Sequence, residues 1–159
     1  MAPDDHNHRP LGIRRLSPEW AEPLARLLER LHETGEDDQF LPHPADREYL
    51  EALARDSGQD LHYVVTDGDS EVVAYGMLRG WADFAIPSLG IAVDPASRGR
   101  RVATMLMEHM HDEARRHGAS QVRLKVYPQN LPARRLYERL GYEFEQRQED
   151  GQLVALIRL

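Results

Sequence analysis

The sequence predicts a mixed α/β layer fold, one sheet with helices on both faces, in the order β α α β β β α β α β β. Helical hydrophobic spacing and short β-rich runs take turns along the chain, and no internal repeat or low-complexity linker interrupts them.

Leu11 to Leu16 reads as a short strand. Ser17-Pro18 then supplies an N-cap and a proline at the first helical position, and Trp20, Leu24, Leu27, Leu28 and Leu31 recur at helical spacing up to the Thr34-Gly35 break. Gly35 to His43 is a loop, and Pro44 to Arg55 is a second helix ending near Ser57-Gly58. The period then changes. Leu61 to Thr66 and Glu71 to Leu78 flank Asp67-Gly68-Asp69 as a hairpin. Gly80 to Pro87 leads to a strand over Ser88 to Val93, which stops at Asp94-Pro95. A third helix runs from about Arg101 to His117 with Val102, Met105, Leu106, His109, Met110 and Glu113 along one stripe, ended by Gly118. Val122, Leu124 and Val126 alternate in a strand over Gln121 to Val126. Ala133, Leu136, Tyr137 and Leu140 mark a fourth helix from Asn130, with Gly141 as its stop. Tyr142 to Gln148 and Gln152 to Leu159 close the chain around the turn Glu149-Asp150-Gly151.

At 159 residues the chain is sized for one domain, placed over 11–159 behind a loose tail at 1–10. His6-x-His8 in that tail lacks further ligands at suitable spacing and is given no role. The absence of cysteine excludes a disulfide scaffold, a Cys-ligated metal centre and a cysteine nucleophile. No apolar run approaches the roughly 18 residues of a membrane span, and Met1 to Pro10 lacks a signal-peptide core, so a cytoplasmic location without membrane contact is expected. A net charge of -7 argues against nucleic acid as a partner. The charge is unevenly placed: up to residue 87 there are 18 acids against 8 arginines, and from residue 88 there are 9 acids against 12 basic residues. Solvated helix faces are the common cause of such a split, and a bound anion beside the basic half is the functional one.

Leu89 to Ala103 carries the most chemical information. A strand ends at Asp94-Pro95, and Arg98-Gly99-Arg100-Arg101-Val102-Ala103 opens a helix. The first amides of a helix have no intrahelical partner and the dipole is positive there, so this point suits a phosphate or pyrophosphate. The sequence is neither a Walker loop nor a dinucleotide fingerprint. Taken alone, an arginine-rich helix start is more often a solvated end.

The partner segment is Asn130-Leu131-Pro132-Ala133-Arg134-Arg135-Leu136-Tyr137-Glu138-Arg139-Leu140-Gly141-Tyr142-Glu143-Phe144. Its Asn, Ala, Leu-Tyr and Gly-Tyr-x-Phe resemble the second signature of the GNAT superfamily of acyl-CoA-dependent N-acyltransferases. Arg98 to Ala103 falls where that family carries Arg/Gln-x-x-Gly-x-Gly/Ala, and the likeness covers about residues 61–145. One departure is Arg101, which stands where the family has its middle glycine. Glycine lets the backbone approach the pyrophosphate; an arginine there needs its Cβ turned away, and it either adds a charged contact or weakens binding of the coenzyme.

The resemblance implies a mostly antiparallel sheet of about seven strands and acetyl-CoA as cosubstrate, with no metal. It also implies that the backbone of Ile91, Ala92 and Val93 pairs with the pantetheine arm, that Arg98, Gly99, Arg100, Arg101, Val102 and Ala103 hold the pyrophosphate, and that Asn130 contacts the pantetheine. Tyr137 is implied to protonate the departing thiolate; without the motif, packing on the apolar stripe is its simpler role. The reaction the resemblance implies is direct attack of a neutral amine on the thioester, with a strand amide, that of Ile91, holding the oxyanion. Ser88 to Val93 contains no carboxylate where many relatives place a base, so Asp83, His62 and Glu71 are candidates and Asp83 is the choice. His109 and His111, two apart on one helix, diverge and do not share a metal. The resemblance places the acceptor side at Thr34 to Pro44 and Gly80 to Ser88, where Glu36, Asp37 and Asp38 accompany Phe40, and Asp83 lies between Trp81 and Phe84. Carboxylates beside aromatic faces suit a cationic amine or a sugar. The function expected is acetyl transfer to the primary amine of a small molecule, an amino sugar or similar metabolite. A protein or peptide amine acetyltransferase and a non-catalytic acyl-CoA-binding module are the alternatives, and a homodimer is an expectation of the resemblance.

Overall fold

The computed structural model describes residues 10–34, 44–56, 58–68, 70–80, 86–98 and 101–159. Its strands are β1 (Leu11–Arg15), β2 (Leu61–Asp67), β3 (Glu71–Arg79), β4 (Ser88–Val93), β5 (Gln121–Val126), β6 (Glu143–Glu149) and β7 (Gln152–Arg158). They form one seven-stranded sheet in the order β1-β2-β3-β4-β5-β7-β6. All neighbours are antiparallel except β4 and β5. Two parallel neighbours need a crossover, and α3 (Val102–Arg116) supplies it.

The other helices are α1 (Ala21–Glu33), α2 (Arg47–Arg55) and α4 (Leu131–Leu140). Two starts differ from the sequence reading. Pro18–Trp20 forms a 3-10 turn and the Ser17 hydroxyl donates to Glu19, so α1 begins at Ala21 with no side-chain cap from Ser17. The second helix begins at Arg47, not Pro44, because the Asp46 carboxylate accepts from Tyr49 N at 2.9 Å and fixes the cap there.

Each face of the sheet is covered. On one, Leu24, Leu27 and Leu31 of α1 and Leu50 of α2 pack on Val64, Val72, Tyr75, Met77 and Ala92. A fully buried leucine contributes on the order of 2 kcal/mol, so α1 is held by packing more than by propensity. On the other, Leu106, Met107 and Met110 of α3 and Tyr137 of α4 meet Leu78, Leu89, Leu124 and Val126. The buried stripe of α3 is Val102, Leu106, Met107, Met110, His111 and Ala114, rotated from the predicted one. Burying Glu113 would cost the desolvation of a charge; it sits at the boundary, paired with Arg116, while Ala114 turns inward. Gly76 lets α3 approach β3: a Cβ there would lie 2.7 Å from Met110 Sδ and 2.8 Å from its Cε.

Candidate active site

The parallel junction of β4 and β5 comes apart after one step. Ser88 and Arg123 are its one register pair, and Arg123 N donates to Pro87 O at 3.0 Å. Beyond it a cleft opens, bordered by Leu89 to Val93 on one side and Lys125 to Tyr127 on the other, with Leu31, Arg98, Asn130 and Tyr137 around it. Sheet edges inside a cleft leave backbone donors and acceptors to be satisfied by something else.

Strand parity shows which groups these are. Asp94 N donates to Val73 O at 2.8 Å, and the same register pairs Ala92 with Tyr75 and Gly90 with Met77. Hydrogen-bonded and non-bonded pairs alternate along an antiparallel ladder, so Ala92 and Gly90 spend their N–H and C=O groups on β3. Leu89, Ile91 and Val93 therefore turn theirs toward β5. Pro87, whose carbonyl accepts from Arg123, has the same parity. Of the three strand residues expected to pair with a pantetheine, Ile91 and Val93 present backbone groups to the cleft; Ala92 borders it but bonds its neighbour strand. Leu89 has the same parity, but its N–H closes the Ser88–Arg123 bridge onto Arg123, so only its carbonyl is left for the cleft.

At the end of β4 the chain is pinned. Arg30 of α1 donates from Nε to Asp94 Oδ2 at 3.1 Å and from a terminal nitrogen to Val72 O at 3.1 Å. The second carboxylate oxygen, Oδ1, accepts from Ala96 N at 3.1 Å, capping the 3-10 turn Pro95–Ser97 that leads to Arg98. One aspartate thus fixes both the strand end and the turn after it.

Arg101 is the residue before α3 and has φ 60° and ψ 22°, the left-handed region. A side chain there costs about 1–2 kcal/mol relative to glycine. Arg101 thus holds a backbone conformation that glycine adopts without strain, and it is not helical as the sequence suggested. The first intrahelical bond runs from Met105 N to Arg101 O at 3.0 Å, which leaves the amides of Val102, Ala103 and Thr104 without helical partners. Val102 is 1% exposed and packs in the core, so only its backbone can meet an anion. Gly99 and Arg100 lie outside the described residues.

Across the cleft, Asn130 caps α4, its side-chain oxygen accepting from Ala133 N at 3.4 Å. Tyr137 is 7% exposed and reaches the cleft one and a half to two turns later. Burial pushes its hydroxyl up to about 12, so the phenol keeps its proton at neutral pH. Gly141, at φ 104°, ends the helix: Gly141 N donates to Glu138 O and Tyr142 N to Tyr137 O, the paired bonds of a Schellman stop. The Tyr142 and Tyr137 rings lie 5.8 Å apart, and Tyr142 shares a 2.7 Å hydrogen bond with His111 of α3. His109 instead meets the Tyr63 ring edge-on at 5.1 Å. The two histidines do diverge, and no cluster of His, Asp and Glu able to hold a metal occurs among the described residues.

Asp83 lies outside the described residues, as do residues 35–43 and most of 80–88, so the chosen base and the expected acceptor loops are not placed. His62 is on β2, stacked on Tyr75 at 6.2 Å, and Glu71 starts β3 at the hairpin; neither borders the cleft. Lys125, the single lysine, does border it and pairs with Asp150 at 3.5 Å.

A sheet parted between its fourth and fifth strands and crossed by a helix that starts at the rim is the GNAT fold. The GNAT domain of S. lividans PAT superposes with a TM-score of 0.79 at 21% identity, over 92% of this chain and 89% of that one. A PaiA N-acetyltransferase from Thermoplasma acidophilum, solved with coenzyme A, superposes at 0.71 with 16% identity, over 94% and 99% of the two chains. Residues 22–142 match the acetyltransferase (GNAT) family, and the chain belongs to it. Among curated relatives, streptothricin acetyltransferase of Streptomyces lavendulae is 32% identical over 124 residues, covering 70% of this chain and 66% of that protein, just under two thirds of its length.

Proposed function

We propose that this protein is an acetyl-CoA-dependent N-acetyltransferase that acetylates the primary amine of a small molecule, with an amino sugar or similar cationic metabolite as the preferred class of acceptor. The carrying observation is the backbone edge of Ile91 and Val93, with the Leu89 carbonyl, facing an open cleft with Tyr137 on its far wall. An extended, amide-bearing arm fits such an edge as an added strand does. The amides at the start of α3 and Arg98 supply positive potential for the diphosphate at the strand's end, and Asn130 borders the arm's path. The likeness to streptothricin acetyltransferase supports a small amine over a peptide.

In this reading the amine nitrogen attacks the thioester carbon, the carbonyl electron pair moves onto oxygen within reach of the Ile91 N–H, and the C–S bond then breaks. Tyr137 gives its proton to the departing sulfur. Its raised pKa is not an obstacle, because the same dry surroundings raise the thiol as well. Asp83 remains the choice for the group that takes the amine's proton. Arg101 is compatible with this reading, since it holds a left-handed turn that a glycine at this position would adopt freely.

The test is thiol release from acetyl-CoA over a panel of amino sugars, diamines and lysine peptides. Turnover on a small amine, reduced on the order of a hundredfold in Tyr137→Phe, is the expected result. Tight CoA binding with no turnover on any amine would overturn it, and a preference for peptides would move the acceptor class. An Asp83→Asn variant with an unaltered pH-rate profile removes Asp83 as the base.

A further inference from the structure

We propose that His111 and Tyr142 are a positioning pair that holds the Tyr137 ring at the cleft, a role that rests on the reading of Tyr137 as proton donor. Neither borders the cleft. Both are sealed in the core behind it, 5% and 4% exposed, and joined by a 2.7 Å hydrogen bond between His111 Nε2 and the Tyr142 hydroxyl.

An apolar pair of the same shape would fill this space at little cost, so the hydrogen bond adds direction more than stability. What it directs is the Tyr142 ring. At its backbone end, Tyr142 N is tied to Tyr137 O at 3.0 Å by the helix stop; at its far end, the hydroxyl is tied to α3. A ring held at both ends is a fixed wall, and the Tyr137 ring leans on it at 5.8 Å and 57°. Side chains on a helix point back toward its start, which sends the Tyr137 hydroxyl from that wall toward the cleft. Burial holds His111 neutral, down to about 4, so the bond keeps one form through neutral pH. Burial, and to a lesser degree Tyr137, also raises the Tyr142 phenol, so it too keeps its proton at neutral pH. The polar link thus joins α3 to the buried ring on which Tyr137 packs, without passing through solvent.

Tyr142→Phe keeps the ring and removes the bond. Thiol release from acetyl-CoA is measured with glucosamine as acceptor, and with water alone, well below the unfolding midpoint of each variant. The expected result is a fall in kcat of roughly tenfold with KM for acetyl-CoA within about twofold, because a small misplacement of a reacting group costs rate rather than binding. His111→Gln, whose amide can hold the hydroxyl, retains more activity than His111→Leu. In a Tyr137→Phe background the Tyr142→Phe change has no further effect, since the pair acts through Tyr137. An unaltered kcat in folded Tyr142→Phe, or an equal loss in the Tyr137→Phe background, overturns the pair. Where glucosamine is not turned over, the best acceptor from the amine panel takes its place; full activity in Tyr137→Phe, or no turnover of the unaltered protein on any amine of that panel, overturns instead the reading of Tyr137 on which the pair depends. If His111→Leu does not fold, the Tyr142→Phe comparison carries the test alone.

Discussion

The Arg30 guanidinium lies 3.0 Å from Asp94 Oδ2 and ties the last turns of α1 to the end of β4. The Arg30 side chain is 36% exposed and that of Asp94 14%, so the ion pair itself is worth about 1 kcal/mol or less. Asp94 also caps the turn before Arg98. Removing it loses a cap worth about 1 kcal/mol and leaves the half-buried Arg30 head with Val72 O in place of a charged partner. Asp94→Ala is expected to cost about 2 kcal/mol in urea unfolding and to weaken CoA binding by calorimetry. Arg30→Ala should cost less and leave CoA affinity closer to that of the unaltered protein, because the cap survives. Equal effects of the two changes on CoA affinity would show that the cap is not what aligns the turn.

Arg101 stores backbone strain at the helix start. Arg101→Gly relieves it and Arg101→Ala does not, since both arginine and alanine carry a Cβ in the left-handed region. Glycine is therefore expected to exceed alanine in stability by about 1 kcal/mol at this position, although glycine is ordinarily the worse residue. Thermal midpoints of the two variants check this. CoA affinity separates a second effect: if the guanidinium meets phosphate, both variants bind more weakly and with a shallower salt dependence.

Most of the fold was legible because its elements carry strong periods and punctuation. Gly141 and Gly118 stop helices where sequence places them, and the β2–β3 hairpin follows from alternating runs around a turn. What escaped was rotational or relational. The α3 stripe was misread by about one residue because Met105-Leu106-Met107 and His109-Met110-His111 offer two apolar faces, and only the cost of burying Glu113 decides between them. The left-handed backbone of Arg101 has no signal in an arginine. His111 and Tyr142 are 31 residues apart, and their bond exists only because α3 and the end of α4 share one face of the sheet. The two motifs named Arg98, Asn130 and Tyr137, which border the cleft, whereas strand parity, which turns the Ile91 and Val93 backbone to the cleft and that of Ala92 to β3, depended on the β3–β4 register.

His111 makes stability fall in acid. Its imidazole is held neutral, mainly by burial and next by the Arg115 charge, with Asp112 opposing; Tyr142 faces it from the end of α4. The unfolded chain takes up a proton near pH 6.5, while the native protein refuses it down to about 4. Stability is therefore complete above pH 6.5 and is lost as pH falls from there to 4, by up to about 3 kcal/mol. Urea midpoints at several pH values across that window measure it. His111→Gln cannot charge, so its midpoint should fall less steeply, even if it starts lower at pH 7; parallel slopes would remove His111 as the cause.

Gly76 sits where β3 passes under α3, and its register partner on β4 is Ile91. A Cβ at this position meets the flexible end of Met110 at 2.7 and 2.8 Å and Leu106 Cδ2 at 3.1 Å. Met110 can move its terminal atoms, so Gly76→Ala is expected to cost only about 1 kcal/mol. Gly76→Val adds branches toward Leu106 as well, and overpacking of that kind costs about 3 kcal/mol. Because Ile91 is paired to Gly76, a strand pushed off α3 carries the cleft-facing amide with it. Turnover in Gly76→Val should fall further than Gly76→Ala at matched fraction folded, with KM for acetyl-CoA rising as the edge of β4 shifts. Equal kinetics for two folded variants that differ in stability would show that α3 yields and β4 does not.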